Sequence, residues 1–198
     1  ATLPSPMTAA RKHATYDDIL ALPEGVTGEI IFGALETQPQ PRPRHVSAAS
    51  ELGALLSGPF RRGIGGPGGW WIIHEPEVHL GSHVLVPDIA GWRVERMPEL
   101  PETAFFTLAP DWVCELLSPA TAKRDRGVKM DAYAEVGVKH LWLVDVDLRV
   151  LEVFRNESAR WVRLGAFTDD DGAVCRPEPF DAVDFDLGAL FRPPVPAR

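Results

Sequence analysis

Six residues constrain this fold more than any others. In "WVCELL", residues 112–117, odd and even positions alike are apolar apart from a single glutamate. A β-strand turns successive side chains to opposite faces. Val113, Glu115 and Leu117 therefore share one face, and Trp112, Cys114 and Leu116 share the other. A strand that is apolar on both faces belongs in the middle of a sheet with a layer above and a layer below. It also poses a chemical problem, because a carboxylate is rarely buried unless it is paired or meets a metal.

The flanking segments can supply those layers. Thr15 precedes "YDDILALPEG", a short helix with acids in its first turn and Pro23 and Gly25 beyond its end. "TGEIIFGALETQP" reads as two short strands meeting at Gly33. After Pro43 a helix is expected, with Val46, Ala49, Leu52, Leu55 and Leu56 at helical spacing. "RRGIGGPGG" is a flexible loop with no GxxxxGK[ST], so a phosphate-cradling P-loop has no support. "WWIIHEPEVHLG" and "VLVPDIAGW" read as consecutive strands joined around Gly81 and Ser82. A helix from about Thr121 to Val136, closed by Gly137, leads to the strand "KHLWLVDV", and "RVLEVFR" with "RWVRLG" forms a hairpin. This order implies an α/β (α+β) domain on one central mixed sheet flanked by helices. No repeat of solenoid length is present. We expect a flexible tail over 1–14, a single domain over 15–192 and a proline-rich tail over 193–198.

Composition sets outer limits. With 198 residues, 45% of them hydrophobic and 24% charged, the chain can build a real core. No apolar run approaches the roughly 18 residues of a membrane span, and the first residues contain no signal-like apolar stretch. Cys114 and Cys175 form no CxxC pair, so no disulfide framework is expected and a reducing cytoplasm is the simplest setting. The net charge of −8 disfavours broad affinity for phosphate backbones, although Arg42, Arg44, Arg61 and Arg62 could form a local basic patch. It suits a site that gathers carboxylates for a hard cation.

The candidate chemistry lies around Glu115. At 100° per residue, Asp125, Val128, Lys129, Ala132, Tyr133 and Val136 share an arc of about 140°. Asp125 and Lys129 thus lie on the apolar side of their helix, at an i, i+4 spacing that also allows a simple ion pair. Asp88 follows Pro87 inside an otherwise apolar strand, and proline there marks an edge, bulge or end. Two carboxylates on neighbouring strands beside an ammonium make a candidate Mg²⁺ site. His74, His79 and His83 invite a zinc reading, but positions 74 and 79 differ in strand parity and no thiolate lies nearby.

In chain order, "EIIFG", "PRPRH" opening a helix, "VPD", "CELLSPAT…RDRGVKMDAYAEVGV" and "LWLVD" resemble the Uma2 family of restriction endonucleases, within the PD-(D/E)XK nuclease superfamily. The likeness covers about residues 15 to 155 and is most specific from Glu115 to Asp145. It implies a restriction-endonuclease-like core and phosphodiester hydrolysis dependent on Mg²⁺ (or Mn²⁺). By position, Asp88 and Glu115 match the metal ligands. The superfamily's usual lysine position holds Leu117, and the family's catalytic lysine matches Lys129 on the helix. Glu29 and His45 match further family positions, as an added acid and as a proton-transfer or phosphate-binding group. The resemblance also implies nucleic acid, DNA first, as substrate, with a possible homodimer. Two rival readings remain open. One is a non-catalytic interaction module that retains the fold, and the other is a hydrolase of small phosphoesters.

Overall fold

The computed structural model describes residues 13–38, 40–170, 174–194 and 196. The tail expected over 1–14 lies outside the described residues apart from its last two positions. Of the tail expected over 193–198, positions 195, 197 and 198 lie outside as well.

Thr15 caps helix α1, Tyr16–Leu20, and its own N–H donates to Asp18 Oδ2 at 2.7 Å. Strands β1 (Thr27–Ile31) and β2 (Ala34–Gln38) follow as an antiparallel pair. They turn at Phe32 and Gly33, whose φ angles of 49° and 75° are both left-handed. A two-residue hairpin turn of this hand matches the twist of its strands; glycine adopts it freely and phenylalanine does not.

Helix α2, Pro43–Leu56, buries Ala48, Leu52 and Leu56, an i, i+4 stripe, along with Gly53. The expected face is thus only partly right. Leu52 and Leu56 point inward, but Val46 is exposed and lines a surface groove beside His45 and Ala49.

The largest correction concerns residues 70–93. Two strands were expected there, and the chain forms four. These are β3 (Trp70–His74), β4 (Val78–Leu80), β5 (His83–Leu85) and β6 (Ile89–Arg93). The β4–β5 turn does fall at Gly81 and Ser82, but this hairpin leaves the central sheet and pairs with β1 in a second one. The prolines at 76 and 87, which cannot donate to a ladder, flank the segment that crosses between sheets.

The central sheet adds β7 (Trp112–Leu117), β8 (His140–Asp145), β9 (Val150–Glu157) and β10 (Arg160–Thr168), in the order β10-β9-β8-β7-β6-β3. Only β7 and β8 run parallel, and a parallel pair requires a crossover. That crossover is the expected helix, but it is broken. It consists of α3 (Ala122–Arg124), a π-helical turn over Asp125–Lys129 and α4 (Met130–Glu135), with non-helical backbone at Gly127. The break shifts the helical phase. Lys129, Ala132 and Tyr133 still point inward, whereas Val128, expected on the same arc, is exposed. A short pair, β11 (Val174–Cys175) and β12 (Phe185–Asp186), completes the strands.

Every residue of β7 is buried, as its two apolar faces require. Trp112, Cys114 and Leu116 join α2 and the tryptophans in one core cluster. Val113 and Leu117 join Ile31, Leu85, Ala132 and Tyr133 in another, between the two sheets. Gly91 of β6 makes room for this packing, since a Cβ there would stand 3.2 Å from the rings of both Trp70 and Trp112. Both cysteines are free and buried. Among the described residues no helix is long and apolar enough to cross a membrane.

Candidate active site

Glu115 projects from β7 into the space between the sheets and is only 3% exposed. Its partners come from the crossover helix. Tyr133 Oη donates to Glu115 Oε1 at 2.5 Å, and Lys129 Nζ lies 2.9 Å from the same oxygen. Lys129 is fully buried and also reaches Glu29 Oε1 at 2.9 Å and the carbonyl of Val86 at 3.1 Å. Its one hydrogen bond goes to Val86, and its two ion pairs go to Glu29 and Glu115. The lysine therefore ties Glu29 of the small sheet to Glu115 of the central one.

Glu29 sits on β1 with the parity of Ile31, facing the central sheet. Its Oε1 accepts the N–H of Val86 and its Oε2 the side-chain amide of Gln38, each at 2.7 Å. Glu29, expected as an added acid, is buried and pairs with Lys129. The intrahelical pair of Asp125 with Lys129 is not formed either. The π-turn separates them, and Asp125 pairs with Arg124 at 3.0 Å, while Arg124 also approaches Glu29 at 3.7 Å.

Asp88 occupies the bend between β5 and β6 rather than a strand interior. Its Oδ2 accepts the backbone N–H of Leu116 at 2.6 Å, and Oδ1 lies 3.2 Å from His45 Nε2. Proline before it ends the ladder, and this frees the carboxylate to turn toward β7. Asp88, Glu115, Asp125 and His45 all line one cavity of about 210 Å³, with Arg42, Glu75, Ser118 and Thr121 among its other walls. Lys129 and Glu29 stand behind Glu115, outside that lining.

The electrostatics follow from this burial. Desolvation pushes the Glu115 carboxyl well above its ordinary range; Lys129 opposes this, while Asp88, Asp125 and Glu29 add to it. Burial pulls on the Lys129 ammonium in the opposite sense, but Glu115 and Glu29 outweigh it and keep the lysine charged. Burial is the largest single influence on His45 and lowers it, but the hydrogen bond and charge of Asp88, with the charges of Asp125 and Glu75, together raise it. Four carboxylates, of Glu29, Asp88, Glu115 and Asp125, are met by two full cations, Lys129 and Arg124. The surplus of negative charge lies where Asp88 and Glu115 border the cavity. No three His, Cys, Asp or Glu side chains among the described residues form a ready-made metal cluster.

A family profile described as "Putative restriction endonuclease" matches residues 14–182. The chain belongs to the Uma2 family. The fold is also similar to a solved structure described as a "putative nuclease belonging to DUF820" from Anabaena variabilis. That chain is 25% identical, with a TM-score of 0.72, and the match covers 90% of this chain and 97% of that one. A search of curated proteins finds no match.

For a Uma2 protein, the residues that sequence reasoning passed over are as informative as those it found. Tyr133 was placed on the inward arc but given no role, although its spacing of four from Lys129 was the available signal. Glu75 borders the cavity at the end of β3 in a left-handed conformation, φ 44°, and nothing local in the sequence marks it. The three histidines weighed for zinc serve separate neighbours. His79 stacks on Phe105 and bonds Glu77, His83 accepts the N–H of Phe32, and His74 lies against Gly53.

Proposed function

We propose that this protein is a divalent-cation-dependent endonuclease that hydrolyses phosphodiester bonds in nucleic acid, with DNA as the expected substrate. One observation carries this reading: Asp88 and Glu115 meet at a single cavity whose surroundings hold more carboxylate than cation. Two carboxylates without a third strong ligand fit Mg²⁺ or Mn²⁺. Such ions commonly take one or two protein carboxylates and fill the remaining positions with water and substrate phosphate. Zinc would ask for three or four N or S donors. When bound, the cation would supply Lewis-acid polarisation of the phosphate and a more acidic water.

The remaining work falls to the chain itself. Asp88 and Glu115 are the ligands, the first steadied by the Leu116 N–H and His45, the second by Tyr133 and Lys129. Lys129, the lysine of the catalytic set, acts through Glu115, opposing the desolvation that raises its carboxyl and holding Oε1 at 2.9 Å. His45 and Arg42 stand at the cavity wall, where an imidazole can pass a proton to the leaving oxygen and a guanidinium can hold a phosphate. Cutting both strands of a duplex in one encounter calls for paired sites, and a homodimer is therefore part of this proposal.

The test is cleavage of supercoiled plasmid, single-stranded oligonucleotide and RNA with Mg²⁺ or Mn²⁺, with and without chelator. We expect cleavage that chelator stops, and that Asp88→Asn and Lys129→Met each abolish. Equal cleavage by wild type and both variants would identify a contaminant and remove the proposal. A second reading, a non-catalytic interaction module, is favoured by the full engagement of the Lys129 ammonium, which leaves it no donor for substrate. It predicts no cleavage and no response specific to divalent cations.

A further inference from the structure

Glu115 is gripped by one oxygen only. Tyr133 and Lys129 both address Oε1, at 2.5 and 2.9 Å, and no described residue hydrogen-bonds Oε2. Neither donor is free to swing across. Lys129 is held by Glu29 and Val86, and Tyr133 is 1% exposed, packed in the core between the sheets. The two lie one helical turn apart, straddling the start of α4, so they approach the same strand residue together. The orientation of the carboxylate is therefore set from behind, while Glu115 borders the cavity in front.

Divalent cations differ in what they ask of a carboxylate. Ca²⁺ gathers about six to eight oxygens and readily takes a carboxylate through both of them. Mg²⁺ demands a near-regular octahedron, which one carboxylate oxygen at a time satisfies best. Resting on the metal reading above, we propose that Tyr133 is a specificity residue. By occupying Oε1 it confines Glu115 to one-oxygen ligation and so biases the site toward Mg²⁺ and Mn²⁺ over Ca²⁺. The tyrosine hydroxyl has no other acceptor among the described residues, so its removal takes from Oε1 one of its two partners and leaves only the ion pair with Lys129.

The experiment is calorimetric titration of the full chain with MgCl₂, MnCl₂ and CaCl₂ separately, without nucleic acid, for wild type, Tyr133→Phe and Asp88→Asn. Wild type should bind Mg²⁺ and Mn²⁺ about tenfold more tightly than Ca²⁺. Tyr133→Phe keeps the ring in the core and removes only the hydroxyl. It should bring the ions to near parity, by strengthening Ca²⁺ binding and weakening Mg²⁺ binding. Asp88→Asn should weaken all three. If Tyr133→Phe weakens all three ions by one common factor, or leaves all three unchanged, the hydroxyl is only a core hydrogen bond. The specificity role then fails while the metal reading stands. A wild type that prefers Ca²⁺ overturns the proposal even if the variant cannot be folded. A wild type that binds none of the ions at millimolar concentration overturns this inference and the metal reading together.

Discussion

The two faces of β7 solve the problem of burial in opposite ways. On one face Trp112 meets Trp142 and Phe180, with ring centroids 5.2 and 4.9 Å away, and Phe180 also contacts Phe60 and Trp70. Stability there accrues from apolar area and aromatic geometry, which act locally. On the other face Glu115 opens a chain of charges through Lys129 to Glu29, with Tyr133 closing it. Each buried ion there depends on its partner, because an uncompensated charge costs far more than a lost contact. The aromatic face holds the sheet together, whereas the charged face gives up stability to hold a buried carboxylate beside a cavity.

Breaking the charged face should give the largest effect. Lys129→Met leaves Glu115 without its cation and Glu29 with only the more distant Arg124, at 3.7 Å, at a cost of about 3–5 kcal/mol. At roughly 2–4 °C per kcal/mol for a chain of this size, melting should fall by about 6–20 °C. Adding Glu29→Gln to that variant removes one of the stranded charges and should recover at least half of the loss. Purely additive losses in calorimetry would show that the two residues do not act as a pair.

On the aromatic face, two tryptophans sharpen the contrast. Trp142 Nε1 donates to the carbonyl of Glu178 at 2.6 Å, whereas Trp112 Nε1 has no hydrogen-bond partner among the described residues. Trp142→Phe loses volume and strands a carbonyl, a cost of about 2–3 kcal/mol. Trp112→Phe loses similar volume but also removes an unsatisfied donor, so about 1–2 kcal/mol is expected. Denaturant melts giving the reverse order would contradict the local character assigned to this face.

Under the proposed function, added metal should act on the charged face alone. For a site with a dissociation constant of about 1 mM, roughly 10 mM Mg²⁺ adds about 1.4 kcal/mol, or a melting rise of about 3–6 °C. Asp88→Asn should abolish most of that rise, while Trp112→Phe should retain it. Identical shifts in wild type and Asp88→Asn would place the ion elsewhere. The smallest effect belongs to charge in water. Arg176 pairs with Asp184 at 2.7 Å with both side chains more than half exposed, so Arg176→Gln should change stability by less than about 0.5 kcal/mol. A loss comparable to that of Lys129→Met would erase the distinction between buried and solvated charge.

Much of this was legible in the chain. The apolar parities of residues 112–117 placed β7 in the middle of the sheet and aimed Glu115 at the inner layer. The spacing of Lys129, Ala132 and Tyr133 turned them inward despite the break at Gly127, because that break lies before most of the arc. Both outer hairpins followed from their turns, one at Gly33 and the other between Glu157 and Arg160. These features depend on periods of two and 3.6 residues, which strands and helices impose wherever they form.

What remained hidden depends on contacts between distant residues. Glu29 meets Val86 across 57 positions, and His45 meets Asp88 across 43. No local pattern shows that β4 and β5 leave the central sheet, because apolar alternation is the same whichever sheet a strand joins. That departure sets Asp88 in a bend and places Glu29 behind Lys129. Glu75, Arg42 and His45 converge on the same cavity only once the sheets are stacked. The sequence by itself determined most of what is inside, and that Glu115, Asp125 and Lys129 are charges among it. Only the tertiary structure decided which charges meet, because burial is written in local periodicity while pairing is a property of chain crossings.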